Sequence, residues 1–150
     1  MAIVTSDHGE EFNDDNKGYW GHGSNFTKYQ TKVPMIIKQP GQTQSQQINQ
    51  LTGHIDVVPT LMKNTLNCQN EETDYSSGFD LFELPNSRAG LIMSSYKDKA
   101  YLIDGQIYAT GLNIQSYSVD DISKENEQFN YQRLTPVSYT HLTLPTILRV

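Results

Sequence analysis

A chain of 150 residues, 36% hydrophobic with net charge −6, has enough apolar material for a core and suits one modest domain or part of a larger one. The acidic balance, with no lysine or arginine cluster, excludes general nucleic-acid binding through a basic surface; an anionic partner needs local help, such as a metal ion. No apolar run approaches the roughly 20 residues of a membrane-spanning helix, Met1-Ala2-Ile3-Val4 is too short for a signal peptide, and the single Cys68 allows neither an intrachain disulfide nor a thiolate metal site.

Residues 2 to 6 predict a short strand, apolar at Ile3 and Val4 and bounded by glycine, as in a buried parallel strand. It delivers Asp7 and His8 into the turn at Gly9, and in open α/β sheets sites lie just past the carboxyl ends of strands. Adjacent residues of an extended strand point to opposite faces. Asp7 and His8 therefore reach one ion only if the backbone turns, which Gly9 permits. A carboxylate oxygen and an imidazole nitrogen suit Zn²⁺ or Mn²⁺ better than Ca²⁺. Such an ion would polarise a phosphoryl or sulfuryl oxygen; Ser6, the hydroxyl beside the pair, has no relay to activate it and reads as structural.

Glu10 to Gly18 reads as a polar, solvated loop. Counted as a calcium loop from Asn13 it fails, with Lys17 at a ligand position and Ser24 where a bidentate Glu belongs. Tyr19, Trp20, Phe26 and Tyr29 surround Gly21-His22-Gly23, either as a pocket wall or as core packing; His22 is a candidate for binding metal or an anionic group. Asn25-Phe26-Thr27 matches a glycosylation sequon, a pattern with many chance matches. Val33 to Lys38 is a second strand, ended by Pro40-Gly41, and a Gln-rich surface loop follows.

His54 to Asn67 predicts a helix, with Asp56 as cap, Pro59 in the first turn and Asn67 as stop; His54 could cap, pack or line a pocket. Asn70 to Gly78 is loop and Phe79 to Phe82 a docking segment. From Gly90 the pattern alternates: Leu91 to Tyr96, Ala100 to Ile103 and Gln106 to Thr110 read as strands, with Asp104-Gly105 as a hairpin turn. Leu112 to Val119 adds another strand, and the charged run Asp120 to Glu127 reads as a solvated connection. Thr135 to Val150 breaks this logic and resembles read-through into vector DNA, so His141 and the tail are excluded from fold reasoning.

The blocks Thr5-Ser-Asp-His-Gly-Glu10, Gly21-His-Gly23, Val33-Pro-Met-Ile-Ile37, Pro40-Gly41 and His54-Ile-Asp-Val-Val-Pro-Thr-Leu-Met62, in this order, resemble the sulfatase branch of the alkaline phosphatase superfamily. Glu10-Glu-Phe-Asn13, Tyr19 to Thr27 and Asp74 to Phe82 resemble more specifically the YejM (PbgA) family of inner-membrane sulfatase-like proteins. The resemblance covers about residues 2 to 134. It implies an α/β fold: the second half of a doubly wound sulfatase/alkaline-phosphatase-like domain to about residue 89, with a small C-terminal antiparallel β subdomain at about 90–119. It also implies an inner-membrane protein facing the periplasm of a Gram-negative bacterium, held by an N-terminal region outside this chain.

By the same resemblance Asp7 and His8 match the metal-ligand pair, for a divalent ion (Mn, Zn, Mg or Ca), and His22 matches the histidine near the substrate's anionic group. A typical sulfatase has Asn after that Asp. His8 instead resembles the lipoteichoic-acid synthase and phosphoethanolamine transferase relatives, which favours a phosphoryl or lipid headgroup over sulfate. The family's nucleophile belongs to the N-terminal half, so no catalytic residue is assigned here. Two roles are implied: a metal-dependent hydrolase or transferase on phosphate or sulfate esters, or a non-catalytic regulator binding phospholipid or lipopolysaccharide headgroups in outer-membrane homeostasis.

Overall fold

The computed structural model describes residues 1–110 and 114–125, which fall into two compact units: residues 1–44 with 92–125, and residues 45–91. The tail from Thr135 lies outside the described residues.

In the first unit, β1 (Ala2–Thr5) pairs antiparallel with β4 (Met35–Lys38). This corrects the buried parallel strand expected of Ile3-Val4. Val4 stands opposite Ile36, and each is 65% exposed. Four residues of a two-stranded ribbon cover only one another, so an apolar run alone does not report burial.

The first strand of the second ribbon falls in the stretch Glu10 to Gly18 expected as loop. β2 (Glu11–Phe12) pairs antiparallel with β3 (Trp20–Gly21), Phe12 opposite Trp20. The intervening turn uses left-handed residues at Asn13 and Asn16, side chains that tolerate that conformation, and the Asn13 carboxamide accepts from the Gly18 N–H at 2.6 Å. A helical turn, α1 (Lys28–Thr31), follows.

The largest element is a five-stranded sheet in sequential order: β5 (Leu91–Ser94), β6 (Lys99–Ile103), β7 (Gln106–Thr110), β8 (Ile114–Ser118) and β9 (Asp121–Glu125). β6 through β9 pair antiparallel. The Asp104-Gly105 hairpin forms as expected, with both residues at positive φ. Residues 121–125, read as a solvated connection, are instead the edge strand β9. A strand at a sheet edge pairs on one side only and carries charge without cost to a core.

The core of this unit lies on the meander, where Phe26, Ala100 and Ile107 are buried against Met93, Leu102 and Tyr117. Phe26 comes from the loop after His22-Gly23, so the apolar plug that seals the sheet also fixes that turn.

In the second unit a 3₁₀ turn (His54–Asp56) leads into α2 (Val57–Asn64), three residues shorter at its end than expected. The helix stops at Asn64 with Thr65 as C-cap rather than at Asn67; Asn67 lies beyond it in a left-handed conformation (φ 53°), where the Cys68 N–H returns to the Met62 carbonyl at 2.9 Å. Asp56 is fully buried and pairs with Arg88. No helix among the described residues is long and apolar enough to cross a membrane.

Candidate metal and anion site

Beyond β1 the chain turns at Ser6-Asp7-His8. The Ser6 hydroxyl donates to the His8 carbonyl (2.7 Å), and the Asp7 Oδ1 accepts from the His8 N–H (3.1 Å). These short-range bonds fold the two side chains toward each other, with Asp7 Oδ2 3.6 Å from His8 Nε2. Backbone N–H donation, then the neighbouring imidazole, hold the Asp7 carboxyl below its usual range, so it stays ionised to lower pH than an ordinary aspartate.

Gly9 acts by size rather than by unusual dihedrals. Its N–H donates to the Gln30 carbonyl (2.9 Å), and a Cβ there would lie 2.0 Å from the Tyr29 carbonyl oxygen. Gly9→Ala is expected to push the 7–9 turn off α1 and cost about 1–3 kcal/mol. Thermal unfolding would show the cost, and altered His8 ring resonances would show the displaced turn.

His22 is brought to His8 by the β2–β3 ribbon. Their rings stack, centroids 3.9 Å apart and planes 24° apart. Each Nδ1 is engaged: His8 Nδ1 lies 2.9 Å from the Gly9 carbonyl and His22 Nδ1 2.8 Å from Glu10 Oε2. Donor atoms of His8, Glu10 and His22 lie within 4.8 Å of one another, close enough to hold an ion. An imidazole, however, binds a metal along a lone pair in its ring plane, and nearly parallel stacked planes do not converge on a nearby point. In this arrangement one ion does not take both imidazoles.

Underneath, Glu11 is 1% exposed. Its Oε2 accepts from the Gln30 Nε2 (2.8 Å), the Thr27 hydroxyl (3.0 Å) and the Asn25 Nδ2 (3.1 Å). Gln30 in turn accepts from the Ser24 N–H at 3.1 Å. A buried carboxylate thus ties the loop after His22 to β2 and α1.

Beside the two histidines opens a cavity of about 300 Å³, lined also by Gly23, Gln30, Ser95 and Tyr96. Tyr96 seats its N–H on the Gly23 carbonyl (2.8 Å) and its ring against the Gly23 Cα, where a Cβ would come within 2.9 Å; the residue as a whole remains 76% exposed. None of the lining residues is lysine or arginine, while Asp7 and Glu10 stand nearby. An anionic ligand here therefore needs a bound cation or an imidazolium to offset those carboxylates.

The sequence-derived candidates Asp7, His8 and His22 are thus close in space. His54 is exposed on its 3₁₀ turn, in the other unit. Sequence reasoning missed Glu10, Glu11 and Tyr96. Glu10 and Glu11 had no available signal, because the antiparallel register that sets Glu11 opposite Gly21 and so brings Glu10 beside His22 is fixed only by the fold. Tyr96 had none, because its position depends on the return of the chain from β5.

The sulfatase family profile matches residues 1–67. The chain is 35% identical over 86 residues to proteins named inner membrane protein YejM from Salmonella typhimurium and Salmonella typhi, and 31% identical over 84 residues to an uncharacterized protein of Haemophilus influenzae. These alignments take in 57%, 57% and 56% of this chain but 14% of the length of each relative. Over residues 1–67 the chain is similar to the sulfatase family, and over 86 residues to the YejM inner membrane proteins.

Proposed function

We propose that this chain is the metal-binding side of a membrane-anchored, sulfatase-like hydrolase or transferase that acts on phosphate or sulfate esters at the periplasmic face of an inner membrane. Asp7 and His8 would hold a divalent ion, and His22, in its imidazolium form, would donate from Nε2 to an anionic oxygen of the substrate. The observation that carries this reading is the convergence of Asp7 Oδ2 and His8 Nε2 at 3.6 Å, with His8 Nδ1 spent on a backbone carbonyl. Ligands on one tetrahedral Zn²⁺ lie roughly 3.3 Å apart, given bonds of about 2.0–2.1 Å. A histidine whose other ring nitrogen is satisfied is the form that ligates metals.

When bound, the ion supplies Lewis-acid polarisation of the ester oxygen. The protein's own contribution is positional. The 6–9 turn presents Asp7 and His8 together, the ribbon sets His22 beside them, and Tyr96 with Gly23 forms one wall for the organic part of the substrate. His8, in place of the asparagine of typical sulfatases, favours a phosphoryl group over sulfate. The doubly wound sheet of a whole sulfatase domain belongs to the same proposal, supported by the uncovered Val4–Ile36 pair.

Titration of the 150-residue chain with Mn²⁺ or Zn²⁺, followed by calorimetry, tests the assignment. We expect binding that weakens about tenfold or more in His8→Ala and Asp7→Ala. Unchanged affinity in both variants would remove these residues from the metal site. The same chain is expected not to turn over p-nitrophenyl phosphate or sulfate, because the resemblance assigns no nucleophile to any of its residues and Ser6 has no base placed to activate it.

The similarity to the YejM inner membrane proteins carries a second reading, a non-catalytic sulfatase-fold regulator that binds phospholipid or lipopolysaccharide headgroups. In the intact protein, metal-dependent ester turnover would support the enzyme. Headgroup binding without turnover would support the regulator.

A further inference from the structure

His8 and His22 reach the same hydrogen-bonding state by different means. His8 Nδ1 faces the carbonyl of the next residue, Gly9, at 2.9 Å, an acceptor that is always present. Among the described residues no backbone carbonyl serves His22 in that way; its Nδ1 faces the Glu10 carboxylate at 2.8 Å. An ionised carboxylate only accepts hydrogen bonds, so Nδ1 carries the proton and Nε2 is the ring nitrogen left for a ligand. A histidine without such a partner prefers the opposite arrangement, with the proton on Nε2.

The contact follows from the ribbon register. With Glu11 opposite Gly21, the residues just outside that pair, Glu10 and His22, are cross-strand neighbours, and Glu11 turns inward while Glu10 turns toward the imidazole. Gly21 serves the contact by its backbone rather than by space: it takes a positive φ (88°), while a Cβ there would meet Glu10 Oε1 only at an ordinary 3.8 Å. The bond also fixes the rotation of the ring and with it the stack on His8, whose centroid lies 3.9 Å away.

We infer that Glu10 is a positioning residue: its hydrogen bond locks His22 in the Nδ1–H tautomer, stacked on His8, so that any ligand of His22 is met by Nε2. The inference builds on the reading of His22 as a ligand-facing side chain, but it is tested on the free protein.

The experiment is long-range ¹H–¹⁵N correlation on the uniformly ¹⁵N-labelled 150-residue chain without metal or substrate, with both imidazoles neutral. We expect the native His22 to show a protonated Nδ1 and a bare Nε2. In Glu10→Ala the Nδ1–H to Nε2–H ratio at His22 should fall roughly fivefold or more, while His8 keeps its tautomer. Glu10→Gln, whose amide oxygen accepts from the same N–H, should restore the native ratio. Amide resonances of Phe26 and Ile107 report that each variant is folded. A native His22 protonated on Nε2, or an unchanged ratio in a folded Glu10→Ala chain, overturns the inference. A chain that binds no Mn²⁺ yet shows the tautomer shift would overturn the metal assignment and leave the role of Glu10 standing.

Discussion

Replacement of Asp56 by alanine is expected to cost the unit of residues 45–91 about 3–5 kcal/mol, the range for breaking a buried ion pair from one side. Asp56 is 0% exposed, and the Arg88 side chain 9%. The guanidinium meets the carboxylate with both nitrogens, Nη1 to Oδ2 at 2.6 Å and Nη2 to Oδ1 at 3.0 Å. The same oxygens accept from the Gly53 N–H (2.8 Å) and the Phe79 N–H (2.9 Å). One carboxylate therefore joins the start of α2, the 78–81 segment and the strand approach at Arg88. Its loss leaves a cation and two amide donors without their acceptor, each of the latter about 1–3 kcal/mol if unsatisfied.

The closeness of these segments is enforced elsewhere too. A Cβ at Gly78 would lie 2.1 Å from the Ile55 carbonyl, and the Thr60 hydroxyl accepts from the Leu81 N–H at 2.9 Å. Asp56→Asn keeps the shape and removes the charge, so it should cost less than Asp56→Ala. Amide hydrogen exchange at Gly53, Phe79 and Leu81 would separate the outcomes: acceleration confined to Gly53 would mean that Asp56 is a local cap only.

Glu11→Ala is expected to cost about 3 kcal/mol or more, because three donors lose one charged acceptor at a 1% exposed position. The effect should reach the site. With Asn25, Thr27 and Gln30 released, the loop after His22 loses its tie to β2, and the His8–His22 stack loses its support. Glu11→Gln should be intermediate, since a neutral amide oxygen has two lone pairs for three donors and adds an amide N–H₂ with no partner of its own. Chemical denaturation gives the stability change, and His8 and His22 ring shifts give its transmission. Native ring shifts in a destabilised but folded Glu11→Ala chain would show that the stack stands without this carboxylate.

The neighbouring pair Glu10-Glu11 shows where sequence reading stops. Both were read as part of a polar loop, yet one carboxylate is buried under three donors and the other stands beside an imidazole. Strand alternation separates their fates, but two-residue strands have too few positions for a period to be visible. The run 121–125 failed for a related reason: at a sheet edge, charge does not oppose strand formation, so composition there mimics a loop. β1 failed in the opposite sense, because its apolar residues describe a face made to be covered and not whether this chain covers it.

By itself the sequence determined the local elements: the strand entering Asp7-His8-Gly9, the Asp104-Gly105 hairpin, the helix after Asp56, and the blocks that resemble the sulfatase family. These follow from short-range sterics and hydrogen bonding, which adjacent residues specify among themselves. Only the tertiary structure decided which carboxylate meets which partner: Glu10 with His22, Glu11 with the 25–30 loop, and Asp56 with Arg88. An acidic residue bound for solvent and one bound for a buried clasp are chemically identical along the chain. What distinguishes them is the donor that the fold returns to within hydrogen-bonding distance.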